Sequence, residues 1–213
     1  MAVELFELGR RVAEVRRRDP GDDIVTQLLT ADLSPREYEL YFLLLAVAGN
    51  ETTRHTISHG LLALLEHPDQ LERLRRDPTL MTAAAEEMLR WATPINYFRR
   101  TAAEDTELRG VPIAAGDKVT TWLAAGNRDP SMFADPDAFD VARDPNPQLA
   151  FGPGGIHHCL GAHLARLEVR IVFEELLQRP VEFKVTGPAQ RLRSNIFNGI
   201  KRLPVSVGRR PAL

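Results

Sequence analysis

The most informative part of the sequence is residues 151–166, FGPGGIHHCLGAHLAR, where a glycine-rich loop leads through Cys159 into a helix with periodic apolar residues. The N-terminus of a helix presents unpaired N–H groups and a partial positive charge, which favour a thiolate over a thiol. Glycines on both sides of the sulfur let the backbone approach a flat ligand. Cys159 is therefore a candidate metal ligand or nucleophile, although a free cysteine can also be a small buried hydrophobe.

Two other kinds of site match parts of this loop. His157, Cys159 and His163 could bind zinc, because residues four apart share a helix face. Closed zinc sites usually need a second pair of ligands, however, and the sequence offers none. Gly152 and Gly154 match the first two glycines of a dinucleotide-binding fingerprint, but His157 occupies the third position and prolines precede the loop. The sequence therefore argues against a dinucleotide site.

Upstream of the loop, the sequence predicts helices first and short strands afterwards. Breakers and apolar periodicity predict helices at residues 3–18, 24–30, 69–76 and 80–91, and a further helix at about 160–178. Short strands are predicted at residues 99–103, 106–108 and 118–123, and residues 127–147 are proline-rich and weakly structured. In the alternating tail, Asn198-Gly199 predicts a tight hairpin turn. The order indicates a mainly α fold with minor β.

One predicted helix is unusually long. Ser34, Pro35 and Glu37 form a helix start, and no breaker follows before residue 67, so about thirty residues would extend about 45 Å. Its middle contains Gly49, which costs about 1 kcal/mol relative to alanine, beside threonines that can bend a helix. This patch is typical of a helix that bows around a ligand, although a local surface stripe is the simpler interpretation.

Composition excludes several classes of protein. The chain has 213 residues, 44% of them hydrophobic and 26% charged, which suits a globular protein of one domain or slightly more. A net charge of −2 argues against nucleic acid as a partner. The single cysteine excludes an internal disulfide. The longest apolar run, residues 41–49, is too short for a membrane span, which needs roughly twenty residues. We expect a cytoplasmic protein.

Three features, in this order and at these separations, resemble the cytochromes P-450. Residues 48–53 resemble the oxygen-binding groove of the family's long I helix, and residues 155–161 resemble its haem-binding loop. Glu87 and Arg90, which alone could be a common surface pair, match the Glu-x-x-Arg of its K helix. The resemblance covers about residues 24–207. It implies the C-terminal half of the cytochrome P-450 fold, with the long central I helix, the K and L helices, a small sheet and the cysteine loop.

The sequence departs from the family pattern in two places. Phe151 lies eight residues before Cys159, where the family usually has seven, so Gly152 falls on the phenylalanine position. Similar elongated loops occur in bacterial members that resemble sterol and branched-lipid hydroxylases. Ala138 also stands where many members have an arginine that pairs with the Glu-x-x-Arg residues. Arg143 is the candidate to replace that arginine.

The resemblance implies a haem-dependent monooxygenase with haem b, whose iron is bound by the Cys159 thiolate. One atom of dioxygen would enter a C–H bond of a small hydrophobic substrate, such as a sterol or lipid, with electrons from a ferredoxin and its reductase. Glu51 and Thr52 would deliver protons to dioxygen. The implied structural residues are Glu87, Arg90 and Arg143. The implied cofactor-binding residues are Ala48, Gly49, Arg100, Phe151, Gly152, Gly155, His157, Cys159 and Gly161.

Family members are about twice as long as this sequence. Residues 1–213 are therefore predicted to be a single partial haem-thiolate oxygenase domain without the family's N-terminal half. That half supplies further haem-propionate partners and the loops that roof the substrate pocket. We accordingly expect the 213-residue chain alone to bind haem weakly or not at all, to self-associate, and to turn over no substrate efficiently. The alternative function is a truncated, non-catalytic haem-binding or interaction remnant.

Overall fold

The computed structural model describes residues 2–209, and these residues form a mainly helical structure with four small antiparallel sheets. This confirms the predicted fold class. The helices are α1 (Ala2–Arg18), α2 (Ile24–Thr30), α3 (Pro35–Glu66), α4 (Pro68–Arg76), α5 (Met81–Ala92), α6 (Leu123–Gly126) and α7 (Ala162–Gln178), with a 3-10 turn at Pro78–Leu80. The strands are β1 (Tyr97–Thr101), β2 (Thr106–Leu108), β3 (Val111–Ile113), β4 (Lys118–Trp122), β5 (Val181–Val185), β6 (Gln190–Arg191), β7 (Ile200–Arg202) and β8 (Val205–Arg209).

The chain divides into two compact units within α3, the first ending at Glu51. In the first unit, Gly9 lets α1 pack closely against the start of α3. A Cβ on Gly9 would lie only 2.9 Å from the Phe42 ring. The Tyr38 hydroxyl donates a hydrogen bond to the Gly9 carbonyl (2.9 Å). At the start of α3, the Ser34 backbone N–H donates to the Glu37 carboxylate (2.8 Å), as the predicted capping box requires.

The second unit has its core between α3, α4, α5 and α7. Gly60 lets α3 approach its neighbours, since a Cβ there would lie 2.9 Å from the Met88 sulfur and 3.0 Å from the Phe173 ring. Burying such side chains contributes roughly 1.5–3 kcal/mol each. The buried cluster consists of Ala63, Leu64, Leu74, Met81, Ala84, Ala85, Met88, Phe139, Val141, Val169 and Phe173. This core holds α5 and α7 together beneath the cysteine loop.

The strands pair as β1–β4, β2–β3, β5–β8 and β6–β7. The strand predicted at residues 99–103 occupies residues 97–101 instead, because Ala102 already belongs to a turn in which its N–H donates to the Asp117 carbonyl (2.9 Å). Strand β3 was not predicted, since its central residue is Pro112, which lacks the N–H that ladders use. No helix within residues 2–209 has the length and apolar character needed to cross a membrane.

The predicted tight turn at Asn198-Gly199 is wrong. Strands β6 and β7 are joined by residues 192–199, a much longer connection. Gly199 ends this connection, and its carbonyl accepts a hydrogen bond from the Leu192 N–H (2.8 Å). A Cβ on Gly199 would lie 2.7 Å from the His55 ring. Glycine is required here by close packing against α3 and not by a hairpin turn.

Candidate functional site

The loop before α7 is closed by a backbone hydrogen bond from the Cys159 N–H to the Phe151 carbonyl (3.0 Å). Between these residues, Gly152, Gly154 and Gly155 have φ angles of +85°, +103° and +76°. Side chains of L-amino acids rarely adopt such angles, so the loop can follow this path only with glycine at these positions. The sulfur therefore has a defined position in a tight turn, just ahead of the first turn of α7.

Cys159 is exposed, so its interpretation as a small buried hydrophobe is wrong. The apolar side chains beside it are exposed as well, with Ile156 at 97% and Leu160 at 73%. At Gly154 and Gly155, an added Cβ would meet nothing within 4 Å. A bare sulfur between exposed apolar side chains and open backbone fits a flat apolar group that is bound through one ligand atom.

The zinc alternative gains no support. His157 and His163 are exposed on the loop and on the first turn of α7. Within residues 2–209, no three side chains of histidine, cysteine, aspartate or glutamate are arranged to hold a metal ion. The geometry remains compatible with Cys159 as the one protein ligand of a metal whose other ligands belong to a cofactor.

Behind the loop, Glu87 and Arg90 of α5 form a fully buried ion pair, each with no exposed surface. Arg90 donates to both carboxylate oxygens, from Nε to Oε2 at 2.7 Å and from Nη2 to Oε1 at 2.8 Å. Arg143 Nε lies 3.1 Å from the same Oε2. The interpretation of Glu87 and Arg90 as a surface pair is therefore wrong, and Arg143 lies in contact with Glu87, where the sequence suggested that an arginine should be.

The two arginines hold the proline-rich segment before the loop. Arg90 Nη1 donates to the Asn127 and Pro136 carbonyls, both at 2.8 Å. Arg143 Nη1 donates to the Ala134 carbonyl at 2.6 Å. Segment 127–147 has no regular hydrogen-bonded structure of its own, so these buried guanidinium groups replace the missing backbone partners. The buried ion pair thus determines the path of the chain towards Cys159.

Asn127 is a functional candidate that the sequence analysis missed. Its side chain is fully buried, with Nδ2 donating to Thr93 Oγ1 (2.8 Å) and Oδ1 accepting from the Leu149 N–H (2.7 Å). Thr93, at the end of α5, in turn donates to the Arg90 carbonyl (2.6 Å). Asparagine is usually a turn residue, so nothing in the sequence indicated that this one links α5 to the entrance of the cysteine loop.

On α3, the patch singled out from the sequence lies within a continuous helix. Ala48 and Gly49 are exposed, and a Cβ on Gly49 would meet nothing within 4 Å. Glu51 and Thr52 are half-buried. Further along the helix, the Thr56 hydroxyl donates to the Thr52 carbonyl (3.0 Å) and the Ser58 hydroxyl donates to the Arg54 carbonyl (2.9 Å).

Arg100, which the resemblance implies to be a cofactor-binding residue, is exposed on β1. Its Nη1 donates to the Arg99 carbonyl (3.1 Å), and its guanidinium lies 5.9 Å from the centre of the Phe98 ring. These contacts are within its own strand and leave the guanidinium accessible from solvent. The structure thus brings Glu87, Arg90 and Arg143 together, and groups Phe151, Gly152, Gly155, His157, Cys159 and Gly161 in one loop.

A second missed cluster connects α3 to the 192–199 connection. His59 Nε2 lies 3.0 Å from the Asn198 carbonyl, and Arg191 Nη1 lies 3.2 Å from the same ring nitrogen. His59 is only 5% exposed, and its burial, followed by the nearby Arg191 charge, lowers its pKa from 6.5 to about 4. Asn198 Nδ2 also donates to the Ala92 carbonyl (2.7 Å). The cluster fixes this connection against α3 and the end of α5.

Comparison with known proteins gives one consistent family. The cytochrome P450 family model matches residues 13–204. The methyl-branched lipid omega-hydroxylase of Mycobacterium tuberculosis is 50% identical over 212 residues, which is 97% of this chain and 50% of the relative. The steroid C26-monooxygenase of Rhodococcus jostii is 44% identical over 96% of this chain and 44% of its own length.

Solved structures agree with these matches. A cytochrome P450 of Mycobacterium marinum in complex with pseudoionone superposes with a TM-score of 0.90 at 44% identity, over 96% of this chain and 50% of that protein. A cytochrome P450 of Bacillus megaterium in complex with testosterone has a TM-score of 0.89 at 36% identity, over 96% and 58% of the two chains. The chain thus spans about half the length of the relatives that it matches.

Proposed function

This chain belongs to the cytochrome P450 family, and we propose that it supplies the cysteine-ligating part of a haem-dependent monooxygenase that acts on lipids or steroids. The observation that carries the proposal is Cys159, an exposed sulfur in a glycine loop closed onto Phe151. The substrate class rests on the relatives named for methyl-branched lipids and for a steroid. Electrons are proposed to come from a ferredoxin and its reductase.

The residues of the loop fit haem b. Cys159 would bind the iron as a thiolate, and Gly154 and Gly155 leave the backbone bare where a flat ring would lie. When bound, haem supplies an iron that activates dioxygen, and a thiolate ligand favours cleavage of the O–O bond. His157 and Arg100 are exposed side chains with N–H donors, and we assign them to the propionates.

Glu51 and Thr52 are proposed as the proton-delivering groups. A half-buried carboxyl and a hydroxyl follow each other on α3, so the carboxyl can carry a proton and the hydroxyl can donate it to dioxygen. Ala48 and Gly49, one turn earlier, are proposed to leave room at the cofactor. Glu87, Arg90 and Arg143 are proposed to have a structural role, because the two arginines donate hydrogen bonds to carbonyls of the segment that leads into the loop.

The proposed activity is tested with isotopically labelled dioxygen. The chain is co-expressed with the part of the M. tuberculosis relative that it does not match, then supplied with haem, ferredoxin, reductase and a methyl-branched fatty acid or a steroid. We expect a hydroxylated product with one labelled oxygen atom. Thr52→Ala should keep the haem content but divert electrons to peroxide. Ser58→Ala, on the same helix, should keep the haem content without diverting electrons. Labelled product from the Cys159→Ala variant would contradict the proposal.

A non-catalytic haem-binding module is the second candidate. The exposure of Ala48 and Gly49 on α3 favours it, because a site that is open where dioxygen would react leaves activated oxygen species free to reach water. In the same experiment, this candidate predicts a thiolate-bound haem, consumption of electrons with release of peroxide, and no labelled product from either substrate.

A further inference from the structure

A salt bridge beneath the cysteine loop joins two helices of the core. Arg166 of α7 donates to both carboxylate oxygens of Glu86 of α5, from Nε to Oε1 at 2.6 Å and from Nη2 to Oε2 at 3.2 Å. The two side chains are 36% and 23% exposed. By contrast, Arg170 Nε and Glu174 Oε1, one turn further along α7, lie 3.4 Å apart, Arg170 Nε makes no hydrogen bond, and the two side chains are more exposed. Only the first pair has the two-point geometry that fixes an arginine in one orientation.

The guanidinium fixed in this way lies over the ring of Phe151. Its central carbon is 4.5 Å from the ring centre, within the range of a cation–π contact. The ring itself is buried, at 8% exposure, against Leu89 and Ala162. Phe151 is thus held on one side by the core and on the other by Arg166.

Gln148 adds a second connection to the same carboxylate. Its Nε2 donates to Glu86 Oε2 (3.0 Å), and its Oε1 accepts from the Ala150 N–H (2.6 Å). The backbone immediately before Phe151 is therefore tied to α5 through Gln148, and the Phe151 ring is tied to α5 through Arg166. Both ties meet at Glu86.

We propose that Glu86, Gln148 and Arg166 are positioning residues for the Cys159 sulfur. They hold Phe151, whose carbonyl accepts the Cys159 N–H, and so they set the direction of the thiolate without touching it. The loop needs such an anchor, because residues 153–161 are all exposed and Gly154 and Gly155 have no neighbours where side chains would be. The consequence for the haem ligand rests on the proposed function, whereas the anchoring of the loop does not.

The test uses the haem-free chain, in which Cys159 is the only cysteine. Arg166→Gln, Arg166→Lys and Glu86→Gln are compared with the parent and with Glu174→Gln, which removes the exposed pair on the same helix. Two quantities are measured: amide hydrogen exchange in peptides covering residues 150–160, and the rate at which iodoacetamide alkylates Cys159. Peptides from the buried parts of α5 and α7 serve as the internal reference.

We expect exchange at residues 150–160 and alkylation of Cys159 to be at least about threefold faster in Arg166→Gln and Glu86→Gln, since each variant loses contacts that hold Phe151. Arg166→Lys should resemble Arg166→Gln, because lysine keeps the charge but not the planar two-point geometry. Glu174→Gln should match the parent. Unchanged rates in the Arg166 and Glu86 variants, or equal acceleration in the reference peptides, would overturn the proposal.

Haem-loaded samples separate this proposal from the proposed function. If the proposal holds, reduced and CO-treated Arg166→Gln shows a smaller fraction of the thiolate-type Soret shift than the parent at equal haem content. A parent that binds haem without any thiolate-type shift would count against the proposed function alone, since the exchange and alkylation results do not depend on haem.

Discussion

At the scale of single residues, Glu87 occupies the most demanding position. Its carboxylate is fully buried and accepts hydrogen bonds from Arg90, from Arg143 and from the Asp140 N–H (3.0 Å). A buried ion pair contributes little net stability, because both charges lose their hydration. Removing one partner, however, leaves an uncompensated charge in the core. The network therefore determines the path of the chain towards Cys159, and breaking it should greatly lower the free energy of unfolding.

We expect Arg90→Met to lower the free energy of unfolding of the haem-free chain by about 3–5 kcal/mol, because Glu87 loses its two-point partner. Arg76→Met is the control, since Arg76 forms an exposed pair with Glu72 (3.2 Å) and its loss should cost less than about 1 kcal/mol. The measurement is urea denaturation followed by circular dichroism. Equal costs for the two variants would show that Glu87 is not held by Arg90.

His59 makes the stability of the fold depend on pH. Its pKa is about 4 in the folded chain, below the ordinary 6.5, because burial and Arg191 disfavour the charged form. The contribution of His59 to the free energy of unfolding is therefore fully present above pH 6.5. It is lost as the pH falls towards 4, by up to about 3 kcal/mol. His59→Gln should remove this part of the pH dependence, whereas His163→Gln, at an exposed position, should not. Parallel stability profiles for the parent and His59→Gln between pH 4 and 6.5 would contradict the assignment.

The sequence was more informative about the type of residue in the site than about residue contacts. Cys159 and its glycines could be found because a soft ligand in a glycine loop is a local pattern. Asn127, His59 and Glu86 could not, because their importance comes from partners far along the chain, such as Leu149, Asn198 and Arg166. Local patterns do not encode such distant contacts.

At the scale of elements, α3 combines an uninterrupted helix with a glycine in its middle. Gly49 is exposed, has no neighbour where a Cβ would lie, and causes no break in the helix. Glycine costs about 1 kcal/mol in such a position relative to alanine. A residue that weakens its own helix without a packing reason in the structure is typical of a functional position.

Gly49→Ala should therefore raise the free energy of unfolding of the haem-free chain by about 0.5–1 kcal/mol. Gly60→Ala, on the same helix, should lower it, because the added methyl group would lie 2.9 Å from the Met88 sulfur. Chemical denaturation of both variants gives the comparison. A loss of stability in Gly49→Ala would mean that this position is packed after all.

Helices were easier to predict than strands for a physical reason. Breakers and caps are local, so α2 was predicted with the bounds observed and α3 within one or two residues. Strand ends depend on the partner: β1 ends at Thr101 because it pairs with Lys118 before the chain turns. For the same reason, the 192–199 connection could not be predicted from Asn198-Gly199, since packing against His55 determines its shape.

At the scale of the whole molecule, α7 carries an exposed apolar stripe. Leu164, Leu167 and Ile171 are 59%, 43% and 46% exposed, and their spacings of three and four residues place them in one row on the helix. Leu160, in the loop two residues before α7, is 73% exposed and adds to this apolar surface. Contiguous exposed apolar surface of this kind commonly marks a surface that another protein segment covers.

We expect the 213-residue chain alone to self-associate through this stripe. Sedimentation velocity should show dimers or larger species at micromolar concentration, and Leu164→Lys should shift the distribution towards monomer because it places a charge in the row. Leu108→Lys, at an exposed position on the β2–β3 hairpin, is the control and should leave the distribution unchanged. A parent chain that is monomeric at all concentrations would rule out this account of the stripe.

The central claim is that Cys159 is the haem ligand, and the absorption spectrum of the reduced, CO-treated protein tests it most directly. The chain is supplied with excess haem and compared with Cys159→Ala and with His163→Ala, which alters an exposed side chain on the first turn of α7. We predict a thiolate-type Soret shift in the parent and in His163→Ala, and none in Cys159→Ala. A variant without Cys159 that keeps the shift, or a parent that binds haem without it, would contradict the account.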